Sequence, residues 1–349
     1  TVTPPGFRED LVPAPAEEPA FAREIRAGAL KAFEALPVPS QETEEWRYTD
    51  LSALDLDRYA AFTPGRTATT LDDVDEGVLA AAGDVGERAG LLIQHNSDTA
   101  TVHLDPELAE RGVILAGLDR ALAEHGDVLQ DRFHALVSPD RTKFTALHAA
   151  FRTGGTLLYV PRGVSVEIPI QALTVMDTDG VAVFPHTVVV ADELAEVTLI
   201  DRVTSPDVEA ALSVAVTEIF AGPASKVRYV SLQEWGAGVT HLAVQRATLD
   251  RDAELRSTAV SFGASLSRTE VEAVLAGPGA YSEMLGVYFT DGTQHFDHRS
   301  LQDHVAPHGT SDLLYKGALK DASRTVYSGL IRVHPGAQKT DAFQTNRNV

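Results

Sequence analysis

Val190-Ala191-Asp192-Glu193-Leu194-Ala195-Glu196-Val197-Thr198-Leu199-Ile200 holds an apolar run, a short turn, one alanine, and a stretch where polar and apolar residues alternate. The design returns at Ile219 to Val230, at Leu249 to Ala259 and at Leu275 to Leu285, with turns drawn from Gly, Pro, Asp and Glu. The alanines stand at 195, 224, 253 and 280, a period of 27 to 29 residues. Alternation with period two marks strands. A strand-and-turn unit of this length cannot bury its apolar face alone, so successive copies must stack as coils. A fifth copy, Gly317 to Tyr327 around Ala322, comes 42 residues after Ala280, and the intervening His-rich stretch reads as an insertion that delays it. An antiparallel sandwich with evenly spaced turns is the alternative, and the near-equal spacings argue against it.

Outward from the repeat, the character changes at Thr153-Gly154-Gly155-Thr156. Beyond it β-branched, alternating segments dominate, such as Leu157 to Pro161, Ala182 to Phe184 and Thr187 to Val190. Before it helical spacing is plain. Phe21, Ile25, Ala29, Ala32, Phe33 and Leu36 place a helix over Glu17 to Leu36, ended by Pro37 and Pro39. A loop follows with Glu45-Trp46-Arg47-Tyr48-Thr49-Asp50, where Trp46 reads as a buried anchor for the helical part. Residues 64–140 are mixed, with short strands at Gly90 to Gln94 and Gly112 to Leu115 and helices at Leu118 to Glu124 and Asp127 to Leu136. Lys143 to Phe151 is a further short helix. The predicted organisation is a disordered or extended arm (1–16), a helical or mixed α/β cap (17–150) and an all-β coil stack (151–349).

Twenty-nine basic against 50 acidic residues give a net charge of −21. Such a surface repels nucleic-acid phosphates and anionic lipid. With no cysteine, the chain can form no disulfide and supplies no thiolate for zinc or an iron–sulfur cluster. No signal-peptide core and no membrane-length apolar run is seen, so a cytoplasmic location is expected. No phosphate-binding P-loop is present, so the chain is not itself an NTPase. The Gly222-Pro223 and Gly277-Pro278 pairs recur at equivalent points and fit turns.

The densest polar cluster is Gln294 to His308, with His295, Asp297, His298, His304 and His308 as candidate metal ligands. Imidazole and carboxylate together suit iron or zinc. No H-E-x-x-H or facial-triad spacing is present, and hydrogen bonds that pin adjacent coils are the competing explanation. On a strand, His295 and Asp297 face one side and His298 the other. Asp297, His298 and Ser300 have no nucleophile elbow around them, so no catalytic triad is assigned.

Lys316 to Asn348, with Gln294 to His308, Ser311 to Lys316 and the run from Phe144 to Pro161, closely resembles the SufB/SufD family of iron–sulfur cluster assembly proteins. The resemblance covers roughly residues 140–349. Outside that range, Glu45 to Asp50 is similar to the N-terminal region of the family's SufD branch, and the lack of cysteine departs from the SufB branch. The family implies a right-handed parallel β-helix between helical domains and a non-catalytic scaffold subunit in a SufB–SufC–SufD-type complex. It implies a SufB-like partner through the β-helix and a SufC-like ATPase through a C-terminal helical domain expected to lie beyond Val349. No cofactor is assigned to this chain alone; iron or an iron–sulfur cluster belongs to the complex. The family's Ser-His-Gly-type motif is not in this sequence. The alternatives are a metal-dependent or polysaccharide-acting β-helix enzyme using His295 to His308, and a purely structural homodimer.

Overall fold

The computed structural model describes residues 3–68, 73–83 and 87–349. The first two residues of the predicted arm, and 69–72 and 84–86 of the mixed stretch, lie outside the described residues. The chain is mainly β, a parallel solenoid of about seven turns behind an N-terminal α/β region. Its helices are α1 (Ala20–Ala35), α2 (Glu76–Ala81), α3 (Pro106–Glu110), α4 (Leu118–Glu124), α5 (Gly126–Leu129) and α6 (Lys143–Phe151). The first strands are β1 (Gly90–His95), β2 (Asp98–Leu104), β3 (Ile114–Gly117), β4 (Thr156–Val160), β5 (Ile170–Val175), β6 (Val181–Val183), β7 (His186–Ala191) and β8 (Glu196–Thr204). Then come β9 (Ala211–Ala221), β10 (Lys226–Glu234), β11 (Val239–Leu249), β12 (Glu254–Ser261) and β13 (Leu266–Leu275). The stack closes with β14 (Tyr281–Thr290), β15 (His295–His304), β16 (Thr310–Leu319), β17 (Arg324–Val333) and β18 (Asp341–Asn348).

Each coil gives one strand to each of two sheets, so every strand from β7 to β16 pairs in parallel with the strand two further on. Side chains from both sheets fill one continuous interior, from Leu92 and Leu158 through Leu199, Val227, Leu255 and Met284 to Phe296 and Leu313. Two glycines are imposed by this packing. Gly286 pairs with Tyr315 and Gly317 with Tyr288, and a Cβ at either glycine would lie within 2.5 Å or 2.1 Å of the facing ring. Both sheets begin before the boundary expected near 150: β1 pairs with β5, β2 adds antiparallel to β1, and β3 adds antiparallel to β4.

The repeat needs one correction. The turns from β7 to β8, β9 to β10, β11 to β12, β13 to β14 and β15 to β16 form one column along an edge of the stack. Leu194, Ala224, Asp252, Gly279 and His308 occupy equivalent left-handed positions there, with φ of 62°, 54°, 58°, 75° and 61°. The N–H of each donates to a carbonyl of the next turn: Pro223, Arg251, Pro278, Pro307 and Gln338 in order. Ala195, Ala253 and Ala280 follow that position and are wholly buried, and Ser225 takes their place in the second coil. Ala224 is thus one position out of phase. Ala322 lies in the turn from β16 to β17, on the opposite edge, with its N–H on the Gly292 carbonyl. Gln294 to His308 is no insertion, because it contains the regular strand β15.

The cap is an antiparallel pair of helices whose ends satisfy each other. Lys143, at the start of α6, donates to the Phe33 and Leu36 carbonyls at the end of α1 (2.6 and 2.8 Å). Arg26 of α1 donates to the Ala150 and Arg152 carbonyls at the end of α6 (2.9 and 3.0 Å) and pairs with buried Glu18. These cations occupy the carbonyl-rich ends where the helix dipole favours positive charge. Phe7, Phe33, Phe151 and Phe184 meet edge to face between the pair and the solenoid. Phe7, in the expected arm, is therefore core. The helix expected over Asp127 to Leu136 stops at Leu129. The Glu218 carboxylate captures the N–H groups of His134, Leu136 and Val137, and His134 turns left-handed at φ 58°.

Candidate functional site

The structure does not bring together the five residues singled out between His295 and His308. β15 is a regular strand, so its side chains alternate. His295 and Asp297 point outward beneath the cap. Asp297 is wholly buried, accepts a hydrogen bond from Thr49 Oγ1 (2.7 Å) and pairs with Arg268. His295 Nε2 is 3.4 Å from the same Thr49 hydroxyl. Arg268 also binds Glu270 (2.6 Å), and its guanidinium lies 3.9 Å from the centre of the Trp46 ring. Arg141 joins Glu270 and Glu272 (2.6 and 2.5 Å). Trp46 is buried against Phe144, so Trp46 and Thr49 clamp the outer face of β13 and β15.

His298 points inward among Tyr288, Phe296 and Tyr315 (ring centroids 4.6, 6.1 and 5.8 Å away), and among the described residues neither ring nitrogen has a hydrogen-bond partner. Burial pushes it down to about 4, against a smaller opposing effect of Asp297. His304 is also interior, with Nε2 on Ser311 Oγ (2.8 Å). His308 is exposed in the turn column. Elsewhere in the interior, Tyr229 and Thr187 donate to buried Asp201 (2.8 and 2.7 Å). The cavity beside them measures about 40 Å³, room for water only.

Among the described residues, the ligating groups that do converge are His134, His148 and His186, with ring nitrogens within 4.8 Å of one another. They come from the turn after α5, from α6 and from the start of β7. A capping box between Thr142 and Thr145 fixes α6, and Pro185 sets the entry to β7. His148 Nδ1 lies 2.8 Å from the Val214 carbonyl, and His148 Nε2 3.2 Å from His186 Nδ1. His186 Nε2 lies 3.1 Å from Glu218 Oε2. His134 Nδ1 is 3.3 Å from the Val137 carbonyl, and its Nε2 has no partner. Burial pushes His134 down to about 3 and holds His148 and His186 well below the ordinary range. The Glu218 carboxyl is raised by burial, opposed by His134 and the three backbone N–H groups. Spacing along the chain could not reveal this cluster. The available signals were single polar residues in apolar settings: His148 inside an apolar helix, and Glu218 inside Ala211–Ala221.

The fold is a capped, two-sheet parallel solenoid, and three buried histidines converge where the cap meets it. Two family descriptions together match nearly the whole chain: the SufBD protein N-terminal region over residues 14–172, and the SUF system FeS cluster assembly SufBD core domain over 174–349. The chain belongs to the SufB/SufD family of iron–sulfur cluster assembly proteins. It is 28% identical to iron–sulfur cluster assembly protein SufD of Bacillus subtilis (strain 168), over 95% of this chain and 76% of the relative. It is 27% identical to SufB of the same organism, over 95% of this chain and 71% of the relative. An iron–sulfur cluster assembly SufBD family protein of Staphylococcus epidermidis (strain ATCC 12228 / FDA PCI 1200) is 29% identical over 90% of this chain and 69% of its own length.

Proposed function

We propose that this chain is a SufD-like, non-catalytic scaffold subunit of an assembly that builds iron–sulfur clusters, beside a SufB-like homologue and a SufC-like ATPase. The observation that carries this reading is a family match across the chain combined with the lack of any cysteine. A subunit without thiolates leaves the usual cluster ligands to a partner. The reading divides the chain into a cap (17–150) and a solenoid (151–349) and places it in the cytoplasm, where reducing conditions preserve a partner's thiolates. It supplies shape: a rigid stack whose edges and ends a homologous solenoid can extend. Iron or a nascent cluster is cargo of the complex.

Co-expression of this protein with a SufB-like and a SufC-like partner, followed by affinity capture under reducing conditions, tests the proposal. A stable complex with the SufB-like homologue, formed through the solenoid, is expected. Failure of the folded chain to co-purify with that homologue would overturn it.

A further inference from the structure

The three converging histidines have the geometry of ligands. For neutral imidazole, one ring nitrogen donates and the other offers a lone pair. A carbonyl oxygen only accepts, so the Val137 and Val214 carbonyls hold protons on Nδ1 of His134 and of His148. Both Nε2 atoms are thereby lone pairs. Glu218 Oε2 lies on His186 Nε2, and a proton on that nitrogen leaves Nδ1 as the third lone pair. This repeats the arrangement in metal sites, where each ligating imidazole donates its other N–H to a carbonyl or carboxylate.

One distance matches tetrahedral ligation, and the whole set lies within 4.8 Å. Two nitrogen ligands about 2.0–2.1 Å from a tetrahedral ion are roughly 3.3 Å apart, and His148 Nε2 and His186 Nδ1 are separated by 3.2 Å. A metal-free arrangement can join this pair by moving the proton of His186 to Nδ1 and placing one on Glu218. It still leaves His134 Nε2 buried and without a partner among the described residues, on a residue only 7% exposed. Glu18 and Asp119 pair with the Arg26 and Arg152 guanidiniums, which leaves the Glu218 carboxylate facing His186; Arg152 is the cation that acts on all three rings.

We propose that His134, His148 and His186 bind one divalent transition-metal ion of the zinc class, as a structural centre that fastens the cap to the solenoid. Neutral nitrogen donors suit zinc, ferrous or cobaltous ions and not magnesium or calcium. His148 and His186 are wholly buried, so the ion enters during folding and exchanges slowly. Glu218 orients His186 from behind and ties the His134 turn to β9.

The untagged full chain, unfolded in denaturant with chelator and refolded with or without Zn(II) or Co(II), tests this. About one tightly held ion per chain is expected, with the visible absorption of low-coordinate Co(II) and a melting temperature several degrees above the metal-free form. His134→Gln should weaken Co(II) binding at least tenfold with circular dichroism unchanged, and Glu218→Gln by about 10- to 100-fold. His295→Ala, outside the cluster, should bind as the parent does. Refolded parent protein that takes up neither ion would overturn the proposal, even if His134→Gln fails to fold. Uptake that survives His134→Gln would also overturn it. The measurement uses the chain alone, so its outcome is independent of complex formation.

Discussion

Asp297 is a carboxyl group with no access to water, and its environment explains why the protein keeps it. Arg268, Thr49 and, at 3.5 Å, Arg299 surround the carboxylate, and the Trp46 ring covers Arg268. A buried pair of this kind adds little net stability when compared with apolar residues, but removing Asp297 leaves the buried Arg268 with only Glu270 as a carboxylate partner. Asp297→Ala should therefore cost about 3–5 kcal/mol, read as a lower denaturant midpoint with unchanged slope. Thr49→Val removes only one hydrogen bond to the same group and should cost about 1–3 kcal/mol. A loss below about 1 kcal/mol for Asp297→Ala would mean the pair is solvated in solution. The role of Trp46 as an anchor was legible, because a lone tryptophan in a polar loop needs a place to bury its ring. Asp297 stood out in the sequence as a candidate metal ligand, with hydrogen bonds between coils as the competing explanation, and the structure gives it Arg268 and Thr49 as partners. Its role is to bracket cap and solenoid, and the sequence could not show Arg268 and Thr49 reaching it from 29 and 248 residues away.

At the scale of elements, the turn column sets the register of the stack. Each turn needs one residue in the left-handed region, and its N–H forms the link to the next coil. Glycine meets this need in only one of the five turns. Leu194 meets it at a cost, since a branched side chain in this region is strained by roughly 1–2 kcal/mol. It is also 52% exposed, so little packing offsets that strain. Leu194→Asn should raise stability by up to about 1 kcal/mol, because asparagine tolerates this conformation and the N–H link is retained. Urea denaturation of the two proteins checks this, and a loss of stability would show that Leu194 packs in a way its exposure hides. The coils themselves were legible because buried small residues recur just after this position. Phase was not, since Ala224 and Ser225 are both small. The opposite turn column also uses the same residue types, so Gly317 to Tyr327 imitates the motif half a coil away. The histidine cluster was illegible for a related reason: its members are separated by 14 and 38 residues and meet only when α6 docks on β7 and β9.

For the whole molecule, buried histidines tie stability to pH. His241 and His298 lie outside the three-histidine cluster and are both buried. Burial pushes His241 down to about 3. The Trp235 indole N–H donates to its Nδ1 (3.1 Å), so protonating that nitrogen would set donor against donor. His298, at about 4, is enclosed by aromatic rings with Asp297 on the neighbouring outward position. In the unfolded chain both titrate near 6.5. Above that pH both states are neutral and the native contribution is complete. As pH falls below it, the unfolded chain takes up protons that the native chain refuses, so stability is lost by about 1.4 kcal/mol per pH unit per group until the folded values are reached. At pH 5 each residue should therefore have cost roughly 2 kcal/mol, a large share of the roughly 5–15 kcal/mol that holds a protein folded. Urea midpoints at pH 7 and pH 5 for the parent and for His298→Leu isolate one of these contributions. The parent should lose about 2 kcal/mol more than the variant between the two pH values. Equal losses would show that the solenoid interior admits water to His298 and lets it charge while folded.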